Sequence, residues 1–288
     1  MSIEKVFIKN SQSLMVETTS FLDERYKSKK IFSGIPTGFE KLDYLTLGFQ
    51  KSDLIAIGSQ PWIGKSALAL SMIQTIALKQ NIPCALFSLE TPCERVGLRL
   101  ISQNTKISQS KLMTGMYKKT EFDKISQAAN LWYKAPLYIA DKPDVTFSEL
   151  EQTIKFLVNE KQVKIVFIDS LDFIIPESTQ SSVREQMSEI SRFLKVLART
   201  LDIPIVVLFE LPQGFHANRP DHSILKYMNG IEHKADVILL LHRDLSKHNA
   251  SSPWQQAKII IAKQRLGPTG EFNIKYYPEF ALFEDLYH

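Results

Sequence analysis

The feature that most constrains this chain is an alternation of two patterns. Short apolar runs recur at 54–58, 85–89, 137–140, 165–169, 205–209, 237–241 and 258–262, and segments of helical periodicity lie between them at 65–80, 94–103, 147–161 and 183–201. A strand buried on both faces has no polar side to show, so it reads as a continuous apolar run. Helices between such strands cover the two faces of a parallel sheet. The chain is therefore expected to be an α/β protein. The last stretch, 258–277, departs from the alternation: two apolar strands flank Gly267-Pro268-Thr269-Gly270, which predicts a β-hairpin.

The first apolar run leads into Ser59-Gln60-Pro61-Trp62-Ile63-Gly64-Lys65-Ser66, and a helix follows at once. This is the phosphate-loop pattern G-x-x-x-x-G-K-[ST] with one departure: Ser59 occupies the first glycine position, and Gly58 stands one place earlier. Each residue type has a physical task. Gly64 lets backbone N–H groups close around phosphate oxygens, and the helix N-terminus adds partial positive charge. Lys65 is placed to reach the outer phosphates of ATP, and the Ser66 hydroxyl to ligate Mg²⁺. The pattern resembles a RecA-like P-loop NTPase core of mainly parallel sheet flanked by helices, with ATP and Mg²⁺ as the expected cofactors.

Two further apolar runs end in acids. Asp169 closes Ile165–Asp169 at the strand edge where open α/β sheets bind ligands, and an acid there can hold the Mg²⁺ shell. Glu90 closes 85–90, one strand along from the loop, where a carboxylate either polarises an attacking water or serves as a cap before Thr91-Pro92. Taken alone, Lys263 and Arg265 on the hairpin are ordinary solvated strand residues.

Composition sets broad limits. The 288 residues allow one large domain and a short appendage; 44% hydrophobic residues suffice for a core, and a net charge of +4 permits nucleic-acid binding without demanding it. Residues 1–30 are read as a linker helix or tail, with Leu14, Val16, Phe21, Leu22 and Tyr26 on one stripe, and 31–288 as the ATPase domain. Two cysteines, Cys84 and Cys93, allow no disulfide framework, so a reducing cytoplasmic compartment is expected. No apolar run is long enough to span a bilayer, so no membrane partner is expected.

The order of motifs resembles the C-terminal motor domain of DnaB-type replicative hexameric helicases. It runs Gly34-Ile35-Pro36-Thr37-Gly38-Phe39, Leu42-Asp43, the phosphate loop, Phe87-Ser88-Leu89-Glu90, Ile168-Asp169, Ala235-Asp236-Val237-Ile238, and Ile260 to Gly270 with Lys263-Gln264-Arg265 inside it. The hairpin motif is the most specific of these. The resemblance implies a homo-oligomer, a six-membered ring that hydrolyses ATP at its subunit interfaces and moves 5′→3′ along single-stranded DNA during replication. By position, Lys65 and Ser66 bind phosphate and Mg²⁺, Glu90 is the catalytic base, Asp169 supports Mg²⁺, and Lys263 and Arg265 reach the next subunit's ATP. Primase and a helicase loader are the replication partners implied.

The chain also departs from that family. The family carries an N-terminal collar domain that recruits primase, for which 288 residues leave no room, so the sequence reads as a shortened piece or a short paralogue. Glu210 stands where the family has the glutamine that senses the γ-phosphate, and an acid there repels phosphate unless it is protonated or metal-bound. Ser170 and Asp172 replace Tyr and Gln after Asp169. In the DNA-contacting segment 223–230, Lys226 keeps a charge for phosphate, Tyr227 offers a stacking or packing ring, and Asn229 lies beside them. An active ring motor, a catalytically weakened paralogue that binds nucleotide within a helicase assembly, and a RecA- or RadA-type recombination ATPase remain open, and the hairpin motif argues against the third.

Overall fold

The computed structural model describes residues 8–29, 31–177, 182–211, 228, 230–245 and 252–286. In chain order the helices and strands are α1 (Ser11–Ser28), α2 (Glu40–Thr46), β1 (Leu54–Ser59), α3 (Lys65–Gln74), β2 (Cys84–Ser88), α4 (Cys93–Thr105), α5 (Gln109–Thr114), α6 (Lys119–Lys134), β3 (Leu137–Ala140) and β4 (Val145–Thr146). They continue with α7 (Phe147–Lys161), β5 (Ile165–Asp169), β6 (Ile174–Ile175), α8 (Val183–Leu201), β7 (Ile205–Glu210), α9 (Ile231–Lys234), β8 (Val237–Arg243), β9 (Gln255–Gln264), β10 (Gly270–Tyr277) and β11 (Leu282–Asp285).

Among the described residues, nine strands form one sheet in the order β11-β10-β9-β8-β1-β7-β5-β2-β3. From β8 to β3 every pairing is parallel; β9, β10 and β11 add an antiparallel meander at one edge. The parallel strands β1, β2 and β5 are buried along their whole length, which is why each reads as an unbroken apolar run. One face packs Leu54, Ala56, Val166 and Val207 against α7 and α8, through residues such as Leu150, Ile154 and Leu194. The other face packs Ile55, Ile57, Phe167 and Leu208 against α3 and α4, through Leu68, Met72 and Leu100. The alternation of side chains along each strand divides the core in two.

Local chemistry sets several boundaries. Capping boxes start α7 and α8: Thr146 pairs with Glu149, and Ser182 with Glu185. The helix expected over 65–80 is α-helical to Gln74 and then widens into a π turn at Thr75–Lys79. The expected hairpin is present as β9 and β10, and β11 pairs onto it as a third strand. The second run ends two residues before Glu90, because Leu89 and Glu90 turn their N–H groups onto the Asp169 carbonyl at 2.8 and 3.3 Å. Helix α1 begins on an Asn10 cap and leaves Leu14, Val16, Phe21, Leu22 and Tyr26 exposed. No helix among the described residues is long and apolar enough to cross a membrane.

Candidate active site

The site lies where the carboxyl ends of β1, β2, β5 and β7 meet the N-terminus of α3. Strand β1 delivers the phosphate loop there, and the sheet pairings bring the acids to it. Ser88 is in register with Asp169, and Ser59 with Glu210. A sheet with this strand order thus gathers residues 59–66, 90, 169 and 210 from separate parts of the sequence. Topology alone brings them together.

The loop itself is tightly held. Ser59 Oγ donates to the Gln60 carbonyl at 2.7 Å, and its own carbonyl accepts from Leu211 N at 3.0 Å. A Cβ on Gly58 would lie 2.5 Å from Phe209 Cζ, so any side chain there would have to push the Phe209 ring aside. Gly64 has φ +113° and caps α3, a backbone state that side chains rarely adopt. Pro61 is half-buried and Ile63 buried, but the Trp62 indole stands 91% exposed on a backbone with φ 67°.

Lys65 is buried at the start of α3, with its Nζ 2.9 Å from Glu210 Oε1. The two residues expected to handle phosphate are thus paired with each other. Asp169 is buried behind them; burial raises its carboxyl above the ordinary range, and a hydrogen bond from the Ser66 hydroxyl pulls it back. Asp169 Oδ1 has no hydrogen-bond partner. A buried carboxylate oxygen without a donor suits a cation better than a proton donor already in place. With Ser66 beside it and the Gly64 cradle in front, these residues fit Mg²⁺ and a phosphate chain. Asp172 also faces the site: burial raises its pKa, a hydrogen bond from Ser170 lowers it, and the charge of Glu210 raises it again.

Lys263 and Arg265 lie toward the other, amino end of the parallel strands. Ile238, near the entry of β8, pairs with Lys263, and the same end of β8 adjoins the start of β1. Lys263 Nζ donates to the Glu232 and Ala235 carbonyls, each at 2.7 Å; Arg265 Nε lies 3.1 Å from Asp236 Oδ1. Within one chain Arg265 is level with Leu54 and so separated from the phosphate loop by the length of β1, roughly 17 Å at about 3.3 Å per residue, while Lys263 is level with Ala56 and its ammonium is held by carbonyls at the amino end. Lys226, Tyr227 and Asn229, the residues expected at DNA, lie outside the described residues.

One cation at this site was missed in the sequence. Arg243 ends β8; its Nη2 donates to the Trp62 carbonyl at 2.9 Å, Nη1 donates to Gln255 Oε1 at 2.9 Å, and its guanidinium lies 4.1 Å over the Tyr276 ring. It props the exposed turn of the phosphate loop from behind. The available signal was the same as for Asp169: a charge closing an apolar run.

The model of the DnaB-like helicase C terminal domain matches residues 34–285. The chain is 36% identical over 272 residues to the replicative DNA helicase DnaB of Treponema pallidum, covering 94% of this chain and 60% of that protein. It is 33% identical over 282 residues to that of Geobacillus stearothermophilus, covering 96% and 62%. The chain thus spans about 60% of the length of these relatives. Among solved structures, one of an ATPase domain superposes with a TM-score of 0.86 at 27% identity, covering 94% of this chain and 98% of that one. A DnaB-like replicative helicase, described with its interactions with primase, superposes at 0.83 and 28% identity, covering 94% and 66%.

Proposed function

The chain belongs to the DnaB-like helicase C-terminal domain family, and from that premise we propose that it is the ATP-hydrolysing motor of a ring-shaped replicative helicase acting on single-stranded DNA. The observation that carries this reading is the placement of the phosphate loop and the Lys263–Arg265 pair toward opposite ends of the parallel strands of one sheet, the loop at the carboxyl ends and the pair at the amino ends. A chain so built cannot bring its own cations to its own phosphate loop. Subunits stacked head to tail in a closed ring do so, because each heterologous interface sets one face of a subunit against a different face of the next.

The division of labour follows from the geometry. Residues Ser59 to Ser66 bind the phosphates through backbone N–H groups and Lys65. Ser66 and Asp169 hold Mg²⁺. Glu90, exposed just beyond β2, takes the proton of the attacking water, the role expected of it rather than that of a cap. Bound MgATP supplies the phosphoryl group to be transferred and the cation that shields its charge. Arg265 and Lys263 of the neighbouring subunit neutralise charge as it develops there. Helix α1, with its exposed apolar residues, docks on a neighbour as the linker, and residues 31–288 form the motor domain. Lys226, Tyr227 and Asn229 contact the DNA strand. Primase and a loader are the replication partners, and the compartment is the cytoplasm.

A second reading is favoured by the Lys65–Glu210 pair: a nucleotide-binding member of a helicase assembly with little turnover of its own. ATP hydrolysis with and without single-stranded DNA, beside Lys65→Ala, separates the two. Turnover that rises with DNA and vanishes in the variant supports the motor. Nucleotide binding without turnover would sink it in favour of the second reading.

A further inference from the structure

The resemblance to the helicase family marks residues 235–238, yet no step proposed for ATP hydrolysis gives them a task. We propose that Asp236 is a positioning residue that holds Arg265 in the pose from which it enters a neighbouring subunit's phosphate site. The proposal rests on the reading of Arg265 as a cation acting in trans.

The geometry makes Asp236 a fixed anchor. The residue is 5% exposed at the entry of β8. Its Oδ2 accepts from Leu54 N at 2.9 Å and from Lys195 Nζ, and its Oδ1 lies 3.1 Å from Arg265 Nε. The backbone repeats the tie: Arg265 N donates to the Asp236 carbonyl at 3.1 Å. Strands β1 and β8 and helix α8 therefore all fix the carboxylate to which the arginine is bound. Arg265 itself stays 52% exposed by side chain. An arginine on a hairpin end would otherwise sample many rotamers, and each contact it then makes would carry that ordering cost.

Lys195 explains how the anchor can also let go. A buried carboxylate with one partner would be orphaned whenever that partner swung onto a phosphate, which is strongly unfavourable. Asp236 has two cations, of which Lys195 is fixed on α8 and also donates to the Ser52 carbonyl at 2.8 Å. Arg265 can therefore leave without stranding the charge. Lys263 has no such arrangement, since two carbonyls hold it.

Mixed assemblies of the full chain test this. Lys65→Ala lacks a working phosphate loop and Arg265→Ala lacks the entering cation. Random mixing of the two restores about a quarter of the sites if each site is built from two subunits at a heterologous interface. Asp236→Asn alone is expected to lower turnover about 10²-fold, as for an approximately 1 Å misplacement of a reacting group. Its affinity for a fluorescent ATP analogue should stay within about twofold, because its own phosphate loop is intact. Mixed with Lys65→Ala, it should restore activity as Arg265→Ala does. Asp236→Glu, measured alongside, keeps the charge, moves the anchor by one methylene, and should show the same loss and the same restoration. If Arg265→Ala is restored and Asp236→Asn is not, or if Asp236→Asn loses nucleotide affinity, the positioning role is overturned. If neither Asp236 variant shows a cooperative thermal transition, Asp236 is a folding clasp and the proposal falls. If Arg265→Ala itself is not restored, the trans reading fails and takes this inference with it.

Discussion

The ammonium of Lys65 lies 2.9 Å from Oε1 of Glu210, tying the phosphate loop to the end of the neighbouring strand β7. Register dictates the meeting: Ser59 pairs with Glu210 across β1 and β7, so the first residue of the loop and the last of β7 share one level of the sheet. By sequence alone Glu210 is an acid that repels phosphate unless it is protonated or metal-bound. In the structure it is paired with Lys65, the cation proposed to bind phosphate, so on that reading nucleotide competes with Glu210 for the lysine.

Glu210→Gln removes that competition. The lysine is 10% and the glutamate 50% exposed by side chain, so the pair is partly screened. It contributes on the order of 1 kcal/mol, or about fivefold in Kd. Calorimetric titration with a non-hydrolysable ATP analogue should show tighter binding by about that factor. Equal or weaker binding would show that Glu210 does not oppose nucleotide.

Arg265→Ala should block hydrolysis while sparing nucleotide binding. Cations supplied in trans are worth roughly 10³–10⁵ in rate in other NTPases. Lys65→Ala should remove both hydrolysis and most of the binding. Steady-state turnover and equilibrium binding, measured on the same preparations, check the contrast. Full turnover in Arg265→Ala would end its assignment as the entering cation.

Gly58→Ala should destabilise the fold without touching a charged group. The new Cβ would sit 2.5 Å from Phe209 Cζ, a contact that cannot persist. Overpacking of this kind costs about 1–3 kcal/mol. Urea midpoints of Gly58→Ala, with and without Phe209→Leu, report it: the second change should recover part of the loss. No recovery would mean that the ring is not the obstacle.

The Asp53 carboxyl gives a pH dependence. Burial, and next the charge of Asp236, push it from 3.8 up to about 6, while Lys195 and Arg265 pull it down. Between about pH 4 and 6 the folded chain keeps a proton that the unfolded chain has released. This group's contribution to stability is therefore largest below about pH 4 and declines as pH rises to about 6. Asp53→Asn removes the decline, so the variant should gain on the parent between about pH 4.5 and 7 in chemical denaturation. A constant difference across that range would refute the assignment.

The α/β class, the phosphate-loop motif and the hairpin motif are all legible in the linear chain. Each is written in neighbouring residues: Leu54 to Gly58 are apolar because both faces of β1 are covered, and Gly64-Lys65-Ser66 must be contiguous to open a helix at phosphate. Asp169 was legible for the same reason, as the charge that ends a buried strand. Arg243 obeys the same rule but closes a run in which no motif had directed attention to that charge. Whatever depends on register between distant strands emerges with the folded sheet. It set Glu210 against Lys65, put Asp236 between Lys195 and Arg265, and sent Lys263 and Arg265 toward the strand ends away from the loop. Local periodicity records which face of a strand is buried, but strand order and register are settled by packing across the whole sheet, and the pairings of these charges follow from that packing.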